Sequence, residues 1–162
     1  MAYAASDALL LVDPLVPDDL WGPLDDLRRR HGKPVVVCTT IRFHRRSRDE
    51  AVRRFGAKAV RGAADLPSGV ETIRIPRAGE TMVWLPELAA LVPGDRLLGD
   101  DEGGLRLCPP GWLRYLQPGL THGELREALR EQLLDLPVEL VLVSHGKPVL
   151  EKGRAALEHA LS

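Results

Sequence analysis

The sequence lacks several features that would each indicate a particular class of protein. Its 162 residues include 2 cysteines in no CxxC arrangement, which argues against a disulfide framework or a cysteine-based zinc site. The 22 lysines and arginines nearly balance the 23 aspartates and glutamates, so a net charge of −1 provides no general attraction for polyanions. We therefore expect two unpaired thiols and neither a nucleic-acid nor a membrane partner.

Long hydrophobic segments and several common catalytic motifs are also missing. No apolar run approaches the roughly 20 residues that span a bilayer, and no basic region followed by a cleavable apolar stretch opens the chain, so we expect a cytoplasmic protein. The sequence contains no P-loop, no GxGxxG and no GxSxG nucleophile elbow. These absences argue against the common nucleotide-binding proteins and serine hydrolases.

The composition that remains is that of an ordinary globular domain. Apolar residues make up 44% of the chain and charged residues 28%, a balance that favours a packed core over disorder. A chain of this length commonly forms one core. We therefore predict a single domain over residues 1–162.

Apolar runs and amphipathic segments alternate in the first half of the chain. Residues 8–12 and 34–40 predict two buried strands, and the apolar spacing over 18–30 predicts a helix between them. This order indicates a β-α-β unit with parallel strands. A capping-box pattern over 47–50 predicts a second helix, which a strand at 57–60 follows.

The second half mixes short strands with helices. Residues 99–112 are rich in glycine and proline and predict a long irregular loop, a candidate lid or partner surface. The other predicted elements are three strands of an antiparallel meander near 70–75, 81–85 and 89–92, a helix from Thr121 to Leu134, a buried strand at 138–143 and a closing helix from Glu151 to Leu161.

Short polar motifs follow the predicted strands in a definite order. They are Asp13-Pro14, a polar loop after the strand at 35–40, Gly79-Glu80-Thr81, Gly94-Asp95 and Ser144-His145-Gly146. In this order the chain resembles the metallo-β-lactamase superfamily of αββα metallo-hydrolases. The resemblance implies an α/β sandwich of two mixed sheets that face each other, with helices outside. It also implies a shortened N-terminus that lacks the outermost strand.

A missing outermost strand would leave unpaired amides and carbonyls at the edge of the sheet. Such an edge is a template for pairing with another chain. We therefore expect self-association, as a homodimer, through this edge or through the loop at 99–112.

The resemblance further implies where metal ligands would lie. In the loop after the strand at 35–40, which corresponds to the main ligand loop of the superfamily, the metal ligands have been replaced. Ile41, Phe43, Arg45 and Arg46 occupy the positions of the metal-facing groups. Hydrocarbon side chains and guanidinium cations are poor zinc ligands. A shift of the alignment by one residue would place His44 at one ligand position and restore one ligand at most.

Three residues elsewhere match the remaining ligand positions of the superfamily. Glu80 replaces a histidine, while Asp95 and His145 match the bridging aspartate and the last histidine. These residues are too few for a dinuclear centre, which needs several protein ligands for each metal.

Two functional hypotheses follow from this site. In the first, Arg45 and Arg46 replace the metal charge and pair with Asp95 and Glu80. The protein is then a binding or accessory protein with no cofactor and with a small anionic ligand as partner. In the second, Glu80, Asp95 and His145 hold one zinc or other divalent ion, and the protein is a mononuclear hydrolase of esters, thioesters or phosphoesters.

Each candidate residue also has a simpler structural explanation. Asp95 and His145 each adjoin a glycine and are equally consistent with turn residues. Glu80 is equally consistent with a solvated side chain. The arginines over residues 42–48 are typical of a solvated face.

Overall fold

The computed structural model describes residues 1–60, 65–116 and 119–162. The chain divides into two compact units, Met1–Glu71 and Thr72–Ser162, and each has its own sheet. The single domain expected over 1–162 stays a prediction. Among the described residues, no helix combines the length and the apolar character needed to cross a membrane.

A four-stranded sheet forms the centre of the first unit, in the order β1-β2-β3-β4. The second and third strands are buried along their whole length, as their unbroken apolar sequences predict. They run parallel because a helix joins them, which confirms the predicted β-α-β unit. The elements are β1 (Ala2–Ala4), β2 (Leu9–Val12), α1 (Trp21–His31), β3 (Val35–Cys38), α2 (Arg48–Phe55) and β4 (Lys58–Val60).

Strand β2 does not lie at the edge of its sheet. The short strand β1 pairs antiparallel with it along its whole length, with Ala2 opposite Leu11 and Ala4 opposite Leu9. The main chains of Met1 and Val12 exchange two further hydrogen bonds of 2.9 Å. The strand predicted at residues 8–12 is therefore paired on both sides, and β1 forms the edge of the sheet; self-association through this edge stays a prediction. Three residues are too few for an apolar pattern, so the sequence did not reveal β1.

Helix α2 occupies its predicted place but does not begin with the predicted capping box. Ser47 precedes the helix, and its side chain makes no capping hydrogen bond. Instead, Ser47 Oγ accepts a hydrogen bond of 2.9 Å from the amide of Val16. A capping box forms elsewhere, where Thr121 and Glu124 bond reciprocally at the start of a helix in the second unit.

Among its described residues, the second unit contains a four-stranded sheet, a separate hairpin and three α-helices. In the sheet the order is β10-β7-β6-β5; β6 and β7 are antiparallel, and β10 runs parallel to β7. The strand predicted at 138–143 is thus present but shorter. The elements are β5 (Glu71–Ile75), β6 (Glu80–Leu85), β7 (Ala90–Val92), β8 (Leu97–Gly99), β9 (Leu105–Leu107), α3 (Pro110–Leu116), α4 (His122–Leu133), β10 (Leu140–Val141) and α5 (Gly153–Ala160).

Apolar residues at helical spacing attach the last two helices to the core of this unit. Leu125, Leu129 and Leu133 lie four residues apart on one face of α4, and all three are fully buried. Leu157 of α5 joins the same cluster. Both helices were predicted from this spacing.

The segment 99–112 is not the irregular loop that its glycines and prolines predicted. Strands β8 and β9 form an antiparallel hairpin, and α3 begins at Pro110. The Asp100 carboxylate closes the connection by accepting hydrogen bonds from the amides of Glu102 and Gly104. Leu105 and Cys108 belong to the buried core, so much of this segment is structural rather than a lid.

Both cysteines are buried and unpaired, as the sequence predicted. Burial raises the pKa of the Cys38 thiol to about 11 and also raises that of Cys108. A thiol of this kind is protonated at neutral pH and packs as a small apolar side chain.

Candidate functional site

In the first unit, Asp13 organises a buried cluster where the parallel strands β2 and β3 end. It directly follows β2 in a left-handed conformation with φ of 45°. Its Oδ1 accepts a hydrogen bond of 2.8 Å from the amide of Thr40, and its Oδ2 accepts one from the Thr40 hydroxyl. Because parallel strands end at the same side of a sheet, the residue after one strand can hold the loop after the other.

The same carboxylate holds His44. The Nδ1 atom of His44 lies 2.8 Å from Asp13 Oδ2, and both side chains are buried. A carboxylate in this position sets the orientation of an imidazole, as it does for many metal-binding histidines. His44 was a candidate ligand from the sequence, whereas Asp13 was recognisable only as part of a motif that ends a strand.

The arginines are exposed in the loop that the resemblance aligns with the metal-ligand loop of the superfamily. Ile41 is buried, whereas Phe43 is 51% exposed and both Arg45 and Arg46 face solvent. A solvated guanidinium is not a buried counter-charge. The predicted role of Arg45 and Arg46 in neutralising Asp95 and Glu80 stays a prediction.

Glu80 begins β6 in the second unit and is 2% exposed. Its Oε1 accepts a hydrogen bond of 3.0 Å from the amide of Gly94, and its Oε2 accepts bonds of 2.8 and 3.1 Å from the amides of Asp95 and Arg96. The simpler expectation of a solvated glutamate is thus wrong. This carboxylate holds the turn between β7 and β8.

Burial raises the pKa of the Glu80 carboxyl, while the three amides and the Arg96 guanidinium act in the opposite direction. All three hydrogen-bond partners are donors, so a protonated carboxyl would leave its own proton without an acceptor among them. The hydrogen-bond pattern therefore selects the ionised form.

Arg96 is a buried positive charge that was not among the residues predicted from the sequence. It is fully buried, and its Nε donates a hydrogen bond of 2.9 Å to the carbonyl of Ala78, which Nη2 also contacts. Its local sequence, an arginine directly before the apolar pair Leu97-Leu98, does not by itself distinguish a buried side chain from an exposed one. Lysine and arginine are almost never fully buried unless their charge is compensated, and here the Arg96 guanidinium acts to lower the pKa of the buried Glu80 carboxyl.

The structure brings Asp95 and His145 together, as the resemblance implied. The His145 Nε2 atom lies 3.3 Å from Asp95 Oδ1, and the His145 side chain is 43% exposed. The Trp112 ring meets the imidazole edge-on, with ring centroids 5.4 Å apart. His145 is therefore accessible from solvent and bordered by an aromatic side chain, whereas Asp95 is buried.

Backbone packing at a glycine places His145. Gly146 has φ of 85°, and a Cβ atom there would lie 2.1 Å from the carbonyl oxygen of Gly99. The Gly99 amide in turn donates a hydrogen bond of 2.9 Å to the carbonyl of His145. His145 is thus a turn residue, and this turn holds it beside Asp95.

The predicted ligand set Glu80, Asp95 and His145 does not form a three-ligand metal site. Both carboxylate oxygens of Glu80 are engaged by backbone amides. Asp95 and His145 then remain as the paired donors of that set, whereas a catalytic zinc normally takes three protein ligands.

No family model matches the chain, and no curated protein matches it. Solved structures do match over almost its whole length. VMB-1 at pH 5.5 is 12% identical, with a TM-score of 0.66, and the match covers 99% of this chain and 81% of that one. A metallo-β-lactamase from Hirschia baltica is 15% identical, with a TM-score of 0.62 and coverages of 99% and 82%.

A structure described as TTHA1623 in a di-iron-bound form is also similar. It is 18% identical, with a TM-score of 0.65, and the match covers 96% of this chain and 90% of that one. Identities this low establish the fold alone. Each match covers a larger share of this chain than of the solved structure. The chain therefore has the fold of the metallo-β-lactamase superfamily, in a shortened form, as the order of its motifs predicted.

Proposed function

We propose that the chain is a binding or accessory protein that does not carry the catalytic metal centre of enzymes with this fold. The observation that carries this proposal is the position of Glu80. The residue that the resemblance aligns with a metal ligand is 2% exposed and accepts hydrogen bonds from three backbone amides. A carboxylate with this role is a structural anchor of the turn at 94–96.

The charges of the second unit support the same proposal. Arg96 is fully buried, and its charge acts on Glu80. A guanidinium keeps its proton in proteins, so this positive charge is permanent. A divalent cation at Glu80 would be repelled by it. A small anionic ligand stays the partner expected for a protein of this kind.

A second candidate function is a mononuclear metal-dependent hydrolase. Two carboxylate–histidine pairs favour it, Asp13 with His44 in the first unit and Asp95 with His145 in the second. Carboxylate and imidazole are both zinc ligands, and a bound zinc or other divalent ion would supply a water of lowered pKa for attack on an ester or phosphoester. In this function Asp95 and His145 would help to hold the ion, and Glu80 would keep its structural role.

Metal content distinguishes the two functions. The protein is purified without chelator, and its zinc, iron and manganese are measured before and after zinc is added and the excess removed. We expect far less than one equivalent of any metal, with no change in His145→Ala or His44→Ala. His159→Ala is the matched control, because His159 is exposed near the end of α5. One equivalent of metal that is lost in His145→Ala and kept in His159→Ala would establish the hydrolase instead.

A further inference from the structure

The first unit carries an apolar groove that the proposed function does not use. Its volume is about 300 Å³, and it also borders Met1 and Ala2 at the start of the chain. Pockets for small molecules start at roughly this size and are mostly apolar. The main lining side chains are Leu11, Leu15, Val16, Leu20, Leu24 and Leu27.

Large apolar side chains are concentrated on the surface at this groove. In the described part of the chain seven large apolar side chains are exposed, and three of them line the groove. Leu15 is 66% exposed, Leu20 49% and Met1 37%. Single exposed leucines need no explanation, but a contiguous set around a concave surface marks a binding site.

A cationic segment adjoins the groove. We name residues 41–47 the arginine loop, because they include Arg42, Arg45 and Arg46. The loop is hydrogen-bonded to the wall of the groove: Ser47 Oγ accepts from the amide of Val16 at 2.9 Å, and the Ser47 amide donates to the carbonyl of Pro14 at 3.0 Å. The arginine that precedes Ser47 is therefore held next to the rim.

The charges of this rim are not neutralised by the protein. Arg45 and Arg46 are exposed, and neither forms an ion pair with a carboxylate among the described residues. By contrast, Arg54 of the same unit pairs with Asp25. Arg46 also has φ of 29°, so its position is imposed by the loop rather than by its own backbone preference.

We propose that the apolar groove and the arginine loop together bind an anionic amphiphile. The aliphatic chain of this ligand lies in the groove, and its carboxylate or phosphate head group pairs with Arg45 and Arg46. Guanidinium groups form paired hydrogen bonds with both kinds of head group. The proposal concerns residues of the first unit alone, so the metal content at Asp95 and His145 neither supports nor contradicts it.

Titration calorimetry tests the proposal with four probes: dodecanoate and dodecyl phosphate below their micelle concentrations, dodecanol, and inorganic phosphate. We expect one or both anionic amphiphiles to bind, and their ranking identifies the head group. Dodecanol supplies the tail without the charge and should bind more weakly, while inorganic phosphate supplies the charge without the tail and should not bind measurably.

Two exposed substitutions separate the parts of the site. Arg45→Gln with Arg46→Gln should weaken binding of the amphiphile about tenfold, as expected for loss of a charge-assisted hydrogen bond, and leave dodecanol binding unchanged. Leu15→Gln should weaken both. The matched controls are Arg53→Gln, on the surface of α2, and Leu150→Gln, whose side chain is 66% exposed like that of Leu15.

Three results would overturn the proposal. In the first, the amphiphile binds, but its affinity is no lower in the double variant Arg45→Gln with Arg46→Gln, or in Leu15→Gln, than in the control variants. The second is binding to vesicles of anionic lipid with none to the monomeric amphiphiles, which would make this face a membrane-contact surface. The third is a ligand-free dimer that Leu15→Gln dissociates in sedimentation, which would make the groove an interface between two copies.

Discussion

Replacing Glu80 by glutamine tests whether this carboxylate holds the turn at 94–96. The substitution keeps the shape and leaves one oxygen to accept from Gly94. It removes the second oxygen, so the amides of Asp95 and Arg96 lose their acceptor and face an NH₂ group. A buried N–H without an acceptor costs about 1–3 kcal/mol, so two such groups predict a loss of about 2–6 kcal/mol in the free energy of unfolding.

The assay is urea unfolding followed by tryptophan fluorescence, to which Trp84, buried in the second unit, contributes with Trp21 and Trp112. Glu158→Gln is the matched control, because it makes the same chemical change in an exposed pair with Arg154. An exposed pair four residues apart on a helix contributes about 0.3–0.5 kcal/mol. If Glu80→Gln were no more destabilising than this control, the structural role of Glu80 would be refuted.

A double substitution tests whether Glu80 and Arg96 compensate each other. Removing one member of a buried charge pair leaves the other uncompensated, whereas an apolar replacement of both often costs little. Glu80→Leu with Arg96→Met should therefore destabilise the protein less than the sum of the two single variants. Strict additivity would show that the two charges act independently.

Two further predictions concern the second unit. The pKa of Glu124 is lowered from 4.5 to about 2, first by the hydrogen bond with the Thr121 amide. The stability that Glu124 provides is therefore present above about pH 4.5 and is lost as the pH falls towards 2. The thermal unfolding temperature should therefore depend less on pH across this range in Glu124→Gln than in the unmodified chain. Gly146→Ala should lower the free energy of unfolding by at least about 1–3 kcal/mol, because φ is 85° and the Cβ would meet the backbone of Gly99. The control is Gly123→Ala in α4, where the nearest atom to the new Cβ would lie 4.0 Å away. This variant should instead raise the free energy of unfolding by about 0.5–1 kcal/mol. An equal loss in both variants would contradict the role of Gly146.

Most of the secondary structure was predictable because its signals are local. The apolar runs of β2 and β3 and the four-residue spacing in α4 are visible in short windows of sequence. Where local signals compete, the prediction was wrong. Glycine and proline over 99–112 predicted a loop, but the leucines of β8 and β9 gain more by burial in the core, so the chain forms a hairpin.

The candidate site was predictable only in part. The motif order identified Asp95 and His145 as neighbours, and the structure places them 3.3 Å apart. It did not reveal that Asp13 holds His44, because the two residues are 31 positions apart and meet only where two parallel strands end together. Nor did it reveal Arg96, since an arginine before two leucines has the same local sequence whether it is buried or exposed.

The sequence by itself determined most of the elements, apart from β1 and those within 99–112, and the turns that need glycine, because periodicity and backbone preference act over a few residues. Only the tertiary structure decided what each charged side chain does. Glu80 is a buried anchor and Arg45 is solvated, although both are charged residues at positions that the resemblance assigns to metal ligands. The difference arises from distant backbone: the amides at 94–96 lie 14 to 16 positions from Glu80 and supply the hydrogen bonds that make burial of its charge tolerable.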